Sequence, residues 1–90
     1  MATFVYEEKK KRSIENGKIV TKKHDAIRFN GRVFSIGDII GFQYSGITVV
    51  GRLAKIDKEN HTIYVSVKTY GKEGIYCFYI RFIDEVYGTY

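Results

Sequence analysis

Ninety residues with a net charge of +5 allow one small domain, and a chain of this size buries only about 60% of its unfolded surface. Twelve Ile, eight Val and six Thr against one Leu and three Ala exclude a helical bundle, because branched side chains fit a pleated sheet and lose rotamer freedom in a helix. No apolar run is long enough to span a bilayer, no apolar leader opens the chain, and the single Cys77 closes no internal disulfide, so a cytoplasmic location is expected.

In chain order, residues 3–6 predict a short strand, and the charged residues 7–12 a loop or strand end. Asn16-Gly17 then separates two short branched segments. That dipeptide favours a type I′ turn, because both central residues need positive φ. A two-residue turn sets the register: Glu15 opposes Lys18, Ile14 opposes Ile19, Ser13 opposes Val20 and Arg12 opposes Thr21. Asn30-Gly31 repeats the device between residues 26–29 and 32–35. In this second hairpin Ile27, Phe29 and Phe34 share a face with Arg32, and Arg28 and Val33 take the other.

Residues 39–44 predict a strand with Ile40 and Phe42 inward. A Ser45-Gly46 turn leads to residues 47–57, too long to run straight in a small sheet, where the usual strand has about 5–6 residues. Gly51 is the natural bend or bulge. Residues 58–60 turn, and 61–69 alternate with Ile63, Val65 and Val67 inward. Residues 71–74 read as a loop. Residues 75–82 read as a strand with Tyr76, Phe78, Ile80 and Phe82 on one side. Residues 83–86 read as a single 3₁₀ turn before a short final strand or a frayed, Tyr-rich end.

The Gly37-Asp38 turn with alternating apolar residues, then Gly51-Arg52-Leu53 with Ile56, then a polar turn and an alternating strand, resemble the SH3-like small barrels, including KOW and Tudor-like domains. The same stretch is similar to the core of bromo-adjacent homology domains. The resemblance covers residues 36–67. It implies an all-β fold: a single SH3-like barrel of five to six curved antiparallel strands over residues 26–90. A basic β-hairpin extension over residues 1–25 packs on the barrel or extends from it. Neutral Ser45-Gly46-Ile47-Thr48 stands where the KOW pattern has a basic position, and no methyl-lysine cage is assigned.

The charge is concentrated. Residues 1–35 hold nine Lys/Arg and four Asp/Glu, while residues 36–90 hold six of each, so the whole excess lies in the N-terminal third. Such a field attracts polyanions, whether nucleic acid, an acidic protein surface or anionic lipid, or else marks a solvated charged arm that keeps the protein soluble. Catalytic motifs are absent: there is no phosphate loop, dinucleotide fingerprint or nucleophile elbow. His24-Asp25 reads as a solvated turn, Cys77 as a strand residue, and Asp84-Glu85 as the end of a strand. No enzyme activity, metal or cofactor is expected.

Basic residues interleaved with aromatics remain. Lys9, Lys10, Lys11, Arg12, Lys18, Lys22, Lys23, Arg28 and Arg32 are candidates to neutralise phosphates. Tyr44, Tyr64, Tyr70 and Tyr79 are candidates to stack on bases. The leading expectation is a nucleic-acid-binding module, for DNA or RNA, with low sequence specificity. The alternative is a protein-interaction module, such as a phage or mobile-element accessory protein docking on a host protein. Its support is the Tyr-rich C-terminal third. A homo-oligomer joined through edge strands is compatible with both.

Overall fold

The computed structural model describes residues 3–87 and is all-β, with two antiparallel sheets and one short 3₁₀ turn. The first sheet has the order β1-β2-β3, from strands Phe4–Glu15, Lys18–Phe29 and Arg32–Ser35. The second has the order β7-β6-β5-β4-β8. Its strands are β4 (Ile39–Tyr44), β5 (Ile47–Asp57), β6 (Thr62–Thr69), β7 (Lys72–Tyr79) and β8 (Ile83–Tyr87).

Among the described residues, no ladder joins the two sheets into a cylinder. The chain leaves the first sheet at Ser35, where the Asp38 carboxylate accepts the Ser35 N–H at 2.8 Å and Gly37 turns at φ +97°. That turn is tied to β5: Gly37 N–H donates to Leu53 O at 2.7 Å and Leu53 N–H to Asp38 O at 2.8 Å. Both sheets feed one core. Ile27, Phe29 and Phe34 from the first meet Ile40, Phe42, Leu53, Ile63, Val65 and Ile83 from the second and Ile80 from the 3₁₀ turn.

The Asn-Gly turns act as their chemistry requires. Asn16, Gly17, Asn30 and Gly31 all have positive φ, and every expected pair is found, from Glu15↔Lys18 and Ile14↔Ile19 to Ser13↔Val20 and Arg12↔Thr21. The ladder then continues without a break to Phe4↔Phe29. Residues 7–12 are therefore strand and not loop, because every residue keeps its place in the antiparallel ladder, with alternate pairs hydrogen-bonded to β2.

Beyond residues 8 and 25 this ribbon leaves the core and is solvated on both faces, apart from half-buried Ser13 and Val20. Twelve residues per strand at a rise of about 3.4 Å span roughly 40 Å. The molecule is correspondingly elongated: its radius of gyration is 14.3 Å, where a compact chain of this length has about 12 Å.

Three expectations for the C-terminal half change. Residues 71–74 are not a loop: Tyr70-Gly71 forms a two-residue turn, with φ of 51° and 79°, and β7 begins at Lys72. The 3₁₀ turn occupies Ile80–Phe82 rather than residues 83–86, which belong to β8. His61 lies in the turn at φ 53°, before β6 begins at Thr62. Residues 88–90 of the Tyr-rich end lie outside the described residues.

Gly51 is required by a close approach and not by its φ. A Cβ there would overlap the Ser66 carbonyl oxygen and lie 2.7 Å from Val65 Cγ1. Gly51→Ala is expected to lower stability by about 1–3 kcal/mol, as overpacking does, read as a lower urea midpoint at unchanged slope. Tyr70 is the opposite case. A bulky residue at positive φ costs roughly 1–2 kcal/mol, and Tyr70 is fully exposed, so no packing offsets that cost. Tyr70→Asn is expected to raise the unfolding free energy by about 1 kcal/mol in the same titration.

Candidate nucleic-acid interface

The ribbon brings the predicted lysines together and sorts them by face. One face carries the pairs Lys10↔Lys23, Arg12↔Thr21 and Ile14↔Ile19. The other carries Lys9↔His24, Lys11↔Lys22, Ser13↔Val20 and Glu15↔Lys18. Directly opposed side chains have Cβ atoms about 4.5–5.5 Å apart, and like charges in that position are destabilising. Two successive Lys–Lys pairs, one per face, are thus an unfavourable element held on an exposed ribbon. Lys22 reaches Glu15 at 2.6 Å. Among the described residues, Lys9, Lys10, Lys11, Arg12, Lys18 and Lys23 have no carboxylate within ion-pair distance. A polyanion laid along the ribbon would relieve the repulsion.

Where the ribbon leaves the body, Lys9, Lys11 and His24 line a concave corner of about 330 Å³ with Ser35, Ile36 and Asp38. The Asp38 carboxylate is engaged in its turn by the Ser35 N–H. On the opposite side, Lys58 bonds Asp25 at 3.1 Å and ties the ribbon root to the β5–β6 turn.

The two arginines differ. Arg28 donates from Nε to Glu7 at 2.6 Å, and this hydrogen bond, with the charge of Glu7, raises its pKa. Its charge is matched within the protein. Arg32 is exposed beside the second Asn-Gly turn.

The four tyrosines do not form one stacking surface. Tyr44 shares the parity of Ile40 and Phe42 and packs edge-on against Phe42, Phe78 and Phe82. Its hydroxyl oxygen accepts the Tyr79 N–H at 3.2 Å. It supports the core and does not present an open face. Tyr64 is half-buried, with Lys55 Nζ 5.4 Å from its ring centre. Its pKa is raised, first by a hydrogen bond with Cys77, the residue opposite it on β7. Tyr70 stands fully exposed at its turn, and Tyr79 is half-exposed at the end of β7.

Tyr79 belongs to a site that strand reasoning did not show. Arg81 lies over the rings of Tyr79 and Phe82, at 5.4 and 4.8 Å. These two rings meet edge-on at 6.0 Å. A 3₁₀ turn brings residues three apart onto one side, whereas strand parity puts Tyr79 and Phe82 on opposite faces. Phe4, Asn60, His61, Tyr79 and Arg81 line a groove of about 340 Å³.

The groove wall is braced. Asp57 accepts from the side chain and backbone of Asn60 and the backbone of Glu59, which holds its carboxyl below the usual range. Tyr6 Oη meets His61 Nδ1 at 2.8 Å, and the rings stack at 5.9 Å. Burial, then the charge of Asp57, pushes the Tyr6 pKa up, so the phenol stays protonated and able to donate.

Among the described residues, no group of three or more His, Cys, Asp or Glu could hold a metal ion, and no helix is long and apolar enough to cross a membrane. Comparison with protein-family models, with curated proteins and with solved structures gives no match.

Proposed function

We propose that this protein is a non-enzymatic nucleic-acid-binding module of low sequence specificity, with the basic ribbon as its main contact. The observation that carries this reading is the pair of adjacent Lys–Lys cross-strand pairs on a ribbon whose other cations are largely unpaired. Phosphate neutralisation supplies sequence-independent affinity through counterion release. A two-stranded ribbon also has the width to enter a DNA major groove. The groove at Tyr79 and Arg81 offers a second contact, where an unpaired base can stack beside a guanidinium.

We read the body as an SH3-like small barrel. Support comes from the β4–β7 meander, the 3₁₀ turn before β8, the return of β8 to pair with β4, and the register shifts between Phe42 and Tyr44 and between Leu53 and Lys55. Curvature introduced at bulges and a core shared by both sheets fit that architecture.

A second reading is a protein-docking module, favoured by the exposed Tyr76, Tyr79 and Phe82 on and beside edge strand β7. Fluorescence anisotropy of labelled single-stranded and duplex DNA and RNA at about 50 and 200 mM salt separates the two readings. Six unpaired cations give an expected log–log salt slope of about −5 and a loss of roughly a thousandfold in affinity across that range. Absence of binding to all four probes by the folded protein sinks the nucleic-acid reading and leaves the docking one.

A further inference from the structure

Ile14 and Ile19 oppose each other at the ribbon's far end and are 78% and 73% exposed. Beyond them come only the Glu15↔Lys18 pair and the Asn16-Gly17 turn. The two side chains point to the same face as Lys10, Lys23 and Arg12, and with Arg12 and Ser13 they line a shallow hollow of about 240 Å³. Threonine would keep the β-branch at either position without exposing a fully apolar tip. The apolar pair is open to an occupant, and the cations directly behind it favour an anionic one.

We propose that the Ile14–Ile19 tip is a wedge that enters a base step of duplex DNA and kinks it, while the lysines behind it hold the flanking phosphates. This inference rests on the nucleic-acid reading above. Apolar wedges of this size partly unstack a base step and bend the duplex by about 20–90°. The isoleucines project from the ribbon face that also carries Lys10, Lys23 and Arg12, so the wedge and its phosphate contacts fall on one side. Wedges of this kind enter from the minor groove of duplex DNA, the occupant assigned to the tip. A membrane surface is the weaker match. Two isoleucine side chains carry fewer carbons than one myristoyl chain, which alone gives only marginal membrane binding.

The test uses the full chain and the double variant Ile14→Thr/Ile19→Thr. Both positions are exposed and β-branching is retained, so the fold is kept; a far-ultraviolet circular dichroism spectrum checks it. The probe is a DNA duplex with dyes at both ends and a central mismatch flanked by 2-aminopurine. The wild type is expected to bring the dyes closer and to raise 2-aminopurine fluorescence. The variant is expected to bind within about tenfold of the wild type at an unchanged salt slope, with both signals lost.

Wild-type binding that leaves the duplex straight and stacked, or a variant that still bends it, overturns the wedge while leaving the nucleic-acid reading intact. No binding to the duplex overturns the wedge, and the nucleic-acid reading falls with it only if single-stranded DNA and both RNA probes are also left unbound. Tip-dependent binding to phosphatidylglycerol vesicles in that case assigns the tip to a lipid surface.

Discussion

Replacing Lys10 and Lys11 by Glu is expected to leave the protein at least as stable as the wild type and to remove most of the nucleic-acid affinity proposed for the ribbon. Lys10 faces Lys23, and Lys11 faces Lys22. Each reversal turns a repulsive cross-strand pair into an attractive one. An opposite-charge pair contributes roughly 0.2–1 kcal/mol in a sheet, and solvent exposure puts these two at the low end. Glu8 and Asp25 lie next along the same face as Lys10 and offset part of that gain.

Binding moves the other way. Two phosphate contacts are lost, so the salt slope becomes shallower by about two, at roughly one per lysine. The added negative charge lowers affinity further, to a total of roughly a hundredfold near 100 mM salt. A surface kept only for solubility would show neither effect on binding. A ribbon whose lysines served stability would lose its melting temperature. Thermal melts and anisotropy on the same preparation give both results.

Phe29→Ala should have the largest effect on stability. Phe29 is fully buried at the inner end of β2, with ring centres of Phe4 and Phe34 at 6.4 and 6.3 Å. It joins the ribbon root to the shared core. Truncating a buried phenylalanine costs about 3–5 kcal/mol, against a total of roughly 5–15 kcal/mol for a domain. The expected result is a large fall in the urea midpoint, with faster amide exchange at residues 4–6, whose packing rests on that ring. Ile14→Thr at the exposed tip provides the control, with a change within about 0.5 kcal/mol.

Much of this fold can be read from the chain, and the reasons are specific. Asn at positive φ before Gly commits the backbone to a two-residue turn, and that turn dictates every pair of the ribbon. The long strand at Ile47–Asp57 is bounded by equally plain signals, Ser45-Gly46 before it and a polar turn after it. Tyr70-Gly71 makes the same kind of turn with a residue that disfavours it, so composition shows the β6–β7 hairpin but not its two-residue turn or the start of β7 at Lys72.

The site is less legible. The ribbon lysines follow from register alone, and so would the Glu7–Arg28 pair, since Val5↔Arg28 and Glu7↔Ala26 place both side chains on one face. The parity of Tyr44 with Phe42 likewise marks it as core. The groove at Tyr79 and Arg81, with Phe82 beside it, does not show in the sequence because alternation continues smoothly through residues 76–82, while the backbone switches to a 3₁₀ turn at Ile80. Period-two reasoning assigns Phe82 inward; the turn rotates it out, where it is 44% exposed.

Amide chemical-shift mapping of the ¹⁵N-labelled protein with a short DNA duplex tests most directly whether the ribbon is the proposed nucleic-acid contact. The predicted result is a continuous set of shifts over residues 9–14 and 18–24 that disappears at high salt. A smaller response at Tyr79–Phe82 is expected with single strands. Shifts confined to the β7 edge and the 3₁₀ turn, with the ribbon unaffected, would contradict it.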